Sequence, residues 1–365
     1  MFYADLHCHP HFGSFARIRN SLEALEWVYF TAVEHDISEV VFLGDFFHNR
    51  QLINTFAYHQ AYKIILKHYE HGIFTHFLIG NHDMYLRTSW AVNSIEPMAA
   101  KLGAAIVSPQ SLEIGGTQFD CMPYLEHTAK GVNHFFPKKK RAKILLGHIA
   151  ISGAVLNTMH NIKSDLIVEE EDATQFDKIQ EVQSDTFKGY DLVLLGHYHA
   201  HQKVGDNIWY VGSPLQLHWG EALDEKYVCI LDTDTFELEW VKNFESPQHM
   251  PIPFESVKEL DKYQIQGNYI RLLVDSTMGT TEMIDLKRVI ASRYNPRSLD
   301  VITIEETKNG TSSVPAVKKN IEFLTKNKLK LIDYYVDNSQ LPEHLDPTLL
   351  KNIGKELVQL SEAGR

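Results

Sequence analysis

The chain has 365 residues, 44% hydrophobic and 22% charged, the composition of an ordinary globular protein with room for one large domain and a smaller module. It contains no apolar run of about 18 residues and no basic or long apolar leader, so the sequence argues against a membrane span and a signal peptide. Three cysteines are too few for a disulfide framework or a cysteine-based zinc site, which predicts a cytoplasmic protein. The net charge of −12 argues against a surface that grips nucleic acid throughout, although bound divalent cations could supply local positive charge.

The first hundred residues alternate short apolar runs with segments of helical periodicity, which predicts parallel strands covered by helices. We expect strands over Met1–Ala4, Val40–Leu43 and Phe74–Ile79. We expect helices over residues 21–35 and 54–70, and a third helix that begins at Thr88 or Ser89 and ends before Gly103.

From about residue 111 the sequence favours hairpins and further strands. Gly115 and Gly116 separate two apolar segments as in a hairpin. Further strands are expected over Ile144–Leu146, Leu192–Leu195, Ile208–Val211, Tyr227–Leu231 and Phe236–Val241. Two mixed sheets packed face to face fit this order, so residues 1–245 are predicted to form a four-layer α/β/β/α sandwich of α/β class. The acidic stretch 165–185 is interpreted as a solvated insertion.

The remaining third of the chain is predicted to form two smaller parts. Residues 246–310 are expected to be a small α+β cap domain that begins with a linker over Ser246–Pro253. Residues 311–365 are expected to be a helical tail, in which Asp346 and Pro347 begin a helix.

Side chains able to ligate metal follow five of the predicted strands, at the point where each strand ends. The segments are Asp5-Leu6-His7, Gly44-Asp45-Phe46-Phe47-His48, Gly80-Asn81-His82-Asp83, Gly147-His148 and Gly196-His197-Tyr198-His199. The carboxyl ends of strands form the edge at which α/β folds build their sites, and glycine lets the backbone turn and approach a ligand closely. One Asp-x-His alone is a weak signal, but five such segments in this order are hard to explain as packing.

The chemistry of these side chains points to a pair of divalent cations. Carboxylate, amide and imidazole ligands together suit manganese first, with magnesium, iron and zinc as alternatives. Seven ligands are too many for one ion that must also hold water and substrate. They fit two ions about 3.5–4 Å apart that share one carboxylate, an arrangement suited to hydrolysis of phosphate esters.

The order of these motifs resembles the calcineurin-like metallophosphoesterase superfamily. Within it, the histidine that ends Gly44–His48 and the Gly-Ser-Pro in the stretch Tyr210–Glu221 resemble the SbcD-type DNA-repair nucleases. The resemblance is convincing over residues 1–245. It implies one metal ion on Asp5, His7, Asp45 and His199, and a second on Asp45, Asn81, His148 and His197, with Asp45 bridging.

The same resemblance implies roles for residues beside the metals. His82 would be the catalytic histidine, which protonates the leaving 3′ oxygen or stabilises the phosphorane. Asp83 would orient the His82 ring, and His48 would contact the phosphate or help to position DNA.

Three features depart from the superfamily or lie outside its motifs. His9 and His11 follow His7, an opening also typical of trinuclear polymerase-and-histidinol-phosphatase sites. That alternative leaves the later motifs unexplained, so His9 is interpreted as a neighbour of the site. The basic run Lys138-Lys139-Lys140-Arg141 is either a solvated loop or a patch that contacts DNA phosphates. The short cap and tail would fit a virus-encoded version of the family.

The leading hypothesis is a manganese-dependent DNA nuclease, acting as an exonuclease on DNA ends and as an endonuclease on single-stranded or hairpin DNA. The resemblance implies a homodimer that works with an SbcC-type SMC-like ATPase in DNA repair and recombination, with residues 315–362 as the candidate ATPase-binding segment. One alternative is a stand-alone phosphomonoesterase or phosphodiesterase for small molecules. The other is a metal-loaded scaffold that tethers an ATPase to DNA.

Overall fold

The computed structural model describes residues 1–125, 128–137, 141–155, 182–222, 224–275 and 278–304, with Thr348, Lys351, Ile353 and Lys355 of the tail. Most of the predicted helical tail and most of the acidic stretch 165–185 lie outside the described residues. Within the described ranges, no helix is both long enough and apolar enough to cross a membrane.

The described elements alternate strands and helices in the first half of the chain. The first strands are β1 (Phe2–Tyr3), β2 (Glu39–Phe42), β3 (Phe74–Leu78), β4 (Met84–Leu86), β5 (Ser89–Asn93), β6 (Gly103–Ile106), β7 (Gln110–Ile114), β8 (Thr117–Met122) and β9 (Ile144–His148). The later strands are β10 (Leu192–Gly196), β11 (Gln202–Lys203), β12 (Ile208–Tyr210), β13 (Tyr227–Leu231), β14 (Leu238–Lys242), β15 (His249–Pro253), β16 (Tyr269–Asp275) and β17 (Ser298–Ile304). The α-helices are α1 (Phe15–Glu34), α2 (Thr55–Glu70), α3 (Glu96–Leu102), α4 (Thr128–Phe135) and α5 (Thr280–Tyr294).

Two six-stranded mixed sheets form the body of the protein. The first has the order β14-β13-β1-β2-β3-β6, in which β1, β2, β3 and β6 are parallel. The second has the order β11-β12-β10-β9-β8-β7, in which β8, β9, β10 and β12 are parallel. Antiparallel strands complete both sheets. Because the central strands of each sheet are parallel, their carboxyl ends lie at the same edge of that sheet.

The alternation of side chains along the strands builds the layers, because successive residues point to opposite faces. In the first sheet, Phe2 and Val41 belong to the cluster between the sheets, whereas Tyr3 and Phe42 belong to the cluster beneath α1, α2 and α3. On the far side, Val132 of α4 packs in a third cluster against the second sheet. The predicted four-layer α/β/β/α sandwich is confirmed.

The start of the third helix was predicted wrongly. Residues Ser89–Asn93 form β5, which pairs with β4, and α3 begins only at Glu96. The Asn93 side-chain oxygen accepts hydrogen bonds from the Ile95 and Glu96 amides, and Pro97 lies in the first turn. Both features are start signals for a helix, and they lie several residues after the predicted cap.

The predicted linker over Ser246–Pro253 contains a strand instead. His249–Pro253 forms β15, which pairs in parallel with β16 in the three-stranded sheet β15-β16-β17. Because β15 is an edge strand, Pro251 and Pro253 need not donate to a second neighbour. Leu272 of β16 and Ile290 of α5 pack together in the core of this small α+β part.

Candidate metal centre

The five predicted motifs meet at the shared strand edge. Strands β1, β2 and β3 of the first sheet and β9 and β10 of the second all end there, and each delivers its ligands at or just beyond its last residue. Four groups of ligating atoms occur among the described residues, each with all atoms within 4.8 Å of one another, and two of these groups consist only of predicted metal ligands. One group contains Asp45, His148 and His197, and the other contains Asp5, His7 and His199.

The Asn81 side chain completes the first group. Its Oδ1 atom lies 3.0 Å from His148 Nε2 and 3.0 Å from His197 Nδ1. The two imidazole rings are nearly perpendicular, at 82°, with 3.3 Å between His148 Nε2 and His197 Nδ1. Asn81 is itself held by Arg50, whose Nε donates to the Asn81 carbonyl oxygen at 2.7 Å.

One oxygen of Asp45 lies between the two groups. Asp45 Oδ2 is 3.2 Å from His148 Nε2 in the first group and 3.7 Å from His7 Nε2 in the second. His7 Nε2 in turn lies 3.1 Å from His199 Nε2. The Asp45 carboxylate thus lies within 3.7 Å of one histidine in each group, which is compatible with the predicted bridging role.

A hydrogen bond from outside the two ligand groups fixes which ring nitrogen of His148 carries the proton. His148 Nδ1 lies 2.8 Å from the Leu43 carbonyl oxygen, which can only accept, so Nδ1 carries a proton. Nε2 of His148 therefore faces Asn81 and Asp45. Such outer contacts are typical of histidines that ligate metal.

Close backbone packing explains the glycines that precede the ligands. A Cβ atom on Gly80 would lie 2.2 Å from Asp45 Oδ1, and one on Gly196 would lie 2.4 Å from the Leu43 carbonyl oxygen. Asp5 and Asp45 adopt left-handed backbone conformations, with φ of 51° and 64°. Left-handed non-glycine residues cost free energy and concentrate at functional sites, where the surrounding structure imposes them.

The electrostatics of the site suit cations. Burial lowers the pKa of His197 to about 3, so its ring is neutral with a lone pair available. Burial also lowers the pKa of His148, but the Asp45 carboxylate outweighs it and raises that pKa to about 9. Burial raises the pKa of Asp5 to about 6. Ring nitrogens 3.1–3.3 Å apart need a proton or a cation between them, and the donor set fits two divalent ions.

His82 and His48 lie beside the second group. Ring nitrogens of His7, His48 and His82 lie within 4.8 Å of one another, and the His48 and His82 rings stack with centroids 5.2 Å apart. The His82 amide donates to Asp45 Oδ1 at 2.7 Å. His82 Nδ1 lies 2.5 Å from the His48 carbonyl oxygen, so Nδ1 carries a proton and Nε2 is left for the site.

The predicted role of Asp83 is wrong. Its buried carboxylate accepts hydrogen bonds from the backbone amides of Asp45, Phe46 and Gly80 at 2.8, 2.9 and 3.0 Å. The His82 ring is held by the His48 carbonyl instead. Asp83 therefore binds the two ligand loops together, because a short carboxylate on a tight turn reaches nearby amides before it reaches the neighbouring ring.

The basic run and the extra histidines are sequence features outside the family's motifs. Lys138, Lys139 and Lys140 lie outside the described residues. The Arg141 guanidinium donates to the Phe136 and Lys188 carbonyl oxygens and to the Asn133 side chain, which gives it a structural role.

The His9 and His11 rings lie 5.2 and 4.7 Å from the His48 ring. Neither belongs to a group of ligating atoms found among the described residues.

Sequence reasoning did not identify Glu221, which lies against His199. Its Oε1 atom is 2.7 Å from His199 Nδ1, and the side chain is fully buried. The signal was present, because Glu221 closes the stretch Tyr210–Glu221 that carries part of the family resemblance.

The fold and the ligand groups define a metal-dependent phosphoesterase. The chain belongs to the calcineurin-like phosphoesterase family, whose model matches residues 1–230. The predicted superfamily and the predicted metal-dependent phosphoesterase chemistry are therefore confirmed, and the trinuclear alternative is wrong.

Two proteins named as nuclease subunits are similar in sequence to this chain. "Exonuclease subunit 1" of Enterobacteria phage T4 is 24% identical over 235 residues, which cover 63% of this chain and 63% of the phage protein. The match thus spans less than two thirds of that relative. The SbcD subunit of the nuclease SbcCD from Escherichia coli strain K12 is 21% identical, over 97% of this chain and 98% of its own length.

Proposed function

We propose that this protein is a two-metal DNA nuclease and the catalytic subunit of a larger complex. The position of Asp45 Oδ2, between His148 of one ligand group and His7 of the other, carries the proposal. A shared carboxylate suits two cations that act together on one phosphate. The names of the two relatives, an exonuclease subunit and a nuclease subunit, favour a nucleic acid over a small phosphate ester as the substrate. The resemblance of the motifs to DNA-repair nucleases favours DNA.

The proposed ligand sets follow the two groups. Asp5, His7, Asp45 and His199 would hold one cation, and Asp45, Asn81, His148 and His197 the other. When bound, the cations would polarise the scissile phosphate and lower the pKa of an attacking water.

The chain's own residues supply the remaining steps. His82 directs Nε2 at the site, because its Nδ1 proton is bound by the His48 carbonyl. With a second proton taken up on Nε2, the ring would protonate the leaving 3′ oxygen, or donate to the pentacovalent phosphorane, and return to the neutral form. The His48 ring stacks beside it and contacts the phosphate or positions DNA. The Asp83 carboxylate accepts hydrogen bonds from backbone amides of the loops that carry Asp45 and Asn81, and so holds these two loops together.

The resemblance of the motifs to SbcD-type nucleases supports further proposals about activity, metal and partners. The activity would be exonucleolytic on DNA ends and endonucleolytic on single-stranded or hairpin DNA, with manganese as the preferred metal. The protein would act as a homodimer with an SMC-like ATPase in DNA repair and recombination. The cap would face DNA, residues 311–365 would bind the ATPase, and Lys138–Lys140 would contact phosphates. The three buried free thiols, Cys8, Cys121 and Cys229, favour the cytoplasm.

Incubation of the purified protein with labelled linear duplex, hairpin and single-stranded DNA tests this function. Manganese, magnesium and a chelator form the three arms, and p-nitrophenyl phosphate serves as the small-substrate comparison. Metal-dependent cleavage of DNA is expected. Rapid turnover of the small ester without cleavage of DNA would establish the stand-alone phosphoesterase instead. DNA binding that persists without any hydrolysis would establish the scaffold.

A further inference from the structure

The Glu221 carboxylate has hydrogen-bond partners on both of its oxygens. Oε1 lies 2.7 Å from His199 Nδ1 and 3.2 Å from His218 Nε2. Oε2 accepts from Lys226 Nζ at 2.6 Å and from the Leu217 amide at 3.1 Å. The side chain is 0% exposed, so water does not compete for these positions.

These contacts decide the charge of Glu221. Lys226 Nζ forms an ion pair with Oε2 at 2.6 Å, and a buried ammonium group at this distance keeps the carboxyl group ionised. Lys226 Nζ at 2.6 Å also argues against a further cation on the group formed by His199, His218 and Glu221, because its ammonium already neutralises the carboxylate. An ionised carboxylate can only accept hydrogen bonds.

The consequence for His199 is a fixed ring orientation and a fixed tautomer. Because Glu221 can only accept, Nδ1 of His199 must carry a proton, and the neutral ring keeps its lone pair on Nε2. That atom faces His7 Nε2 at 3.1 Å, inside the second ligand group. Lys226 holds the same histidine from the other side, since its ammonium also donates to the His199 carbonyl oxygen at 3.0 Å.

His218 provides an internal comparison, because it contacts the same carboxylate oxygen without belonging to either proposed ligand set. The Gly220 amide donates to His218 Nδ1 at 3.1 Å, so the neutral ring carries its proton on Nε2 and donates it to Glu221. One carboxylate thus orients two imidazoles, and only one of them points to the proposed metals.

We propose that Glu221, anchored by Lys226, is a positioning residue of the metal centre, which holds His199 with Nε2 directed at the cation. This inference rests on the proposed role of His199 as a ligand. Glu221 itself would touch neither metal nor substrate. Its replacement should therefore change metal binding before it changes anything else.

Glu221→Gln is the most informative substitution. Lys226 and the Leu217 amide both donate, so they would retain the amide oxygen of the new side chain and turn its NH₂ group towards His199. An NH₂ donor requires an acceptor at Nδ1, which moves the ring proton to Nε2 and removes the lone pair from the metal side. Loss of such an outer contact typically lowers metal affinity about 10–100-fold.

Calorimetric titration of the metal-free protein with manganese chloride measures this effect without reference to turnover. Glu221→Gln should bind manganese about 10–100-fold more weakly than the wild type. His218→Ala, which removes the other imidazole from the same oxygen, should bind it within about twofold of the wild type, because the contact with His199 remains. Equal affinity of Glu221→Gln and the wild type would overturn the inference.

The nitrogen chemical shifts of the wild-type histidines provide a second test that needs no stable Glu221 variant. In the neutral His199 ring, assigned with a His199→Gln sample, the proton should lie on Nδ1. A proton on Nε2 would overturn the inference. If the wild type binds no manganese, the proposed metal centre is wrong. The position of the His199 proton is measured independently of that result and tests only the contact with Glu221.

Discussion

Replacing Gly80 by alanine would place a methyl group where the Asp45 carboxylate lies. The new Cβ would stand 2.2 Å from Asp45 Oδ1 and 2.4 Å from the Asp45 nitrogen. To reach ordinary contact at 3.4 Å the oxygen would have to retreat about 1.2 Å, whereas metal ligands tolerate about 0.2 Å. Since Asp45 Oδ2 joins both ligand groups, the movement should disturb both cations.

Gly80→Ala should lower the rate of hydrolysis strongly and the free energy of unfolding moderately. A misplacement of about 1 Å costs roughly 100-fold in turnover, and overpacking of a tight site costs about 1–3 kcal/mol of unfolding free energy. Manganese-dependent hydrolysis of bis(p-nitrophenyl) phosphate measures the first quantity, and urea denaturation measures the second.

Gly279→Ala is the matched control for this experiment. Neither glycine requires a left-handed backbone, and a Cβ on Gly279 would meet nothing within 4 Å. This variant should keep wild-type turnover. If Gly80→Ala hydrolysed the diester as fast as Gly279→Ala, the close packing of Gly80 against Asp45 would not be what positions the ligands.

Three further outcomes follow from contacts in the structure. His82→Ala should lower DNA cleavage by about 10²–10⁴-fold while manganese affinity stays close to that of the wild type; substantial remaining turnover would exclude His82 from proton transfer. Asp83→Ala leaves several buried amides without an acceptor, so urea denaturation should show a loss of about 3 kcal/mol or more; an unchanged midpoint would contradict this role. Burial lowers the pKa of His68 to about 4, so the unfolded chain alone takes up this proton as the pH falls below 6.5. Stability should then fall by up to about 3 kcal/mol between pH 6.5 and 4, and His68→Phe should show a correspondingly smaller fall.

The parts of the site that follow a strand end could be predicted from the sequence. Asp45, Asn81 and His148 each come directly after an apolar strand and a glycine, and parallel strands bring such positions to one edge. The layer order was also predictable, because the period of two along β1 and β2 assigns residues to opposite faces.

The remaining features depend on contacts that a sequence does not contain. Asp83 follows His82 directly, yet its carboxylate turns to amides on a loop 36 to 38 residues away along the chain. Glu221 lies in a 3₁₀ turn at Trp219–Glu221 and contacts His199, which is 22 residues earlier in the chain. The edge strand β15 contains two prolines, and only its pairing with β16 makes it a strand.

The most direct test is a crystal soaked in manganese chloride, with anomalous diffraction recorded at the manganese absorption edge. Two anomalous peaks should appear about 3.5–4 Å apart, both in contact with Asp45. One should be bound by Asn81, His148 and His197, and the other by Asp5, His7 and His199. A single peak, or two peaks that do not share Asp45, would contradict the two-metal centre.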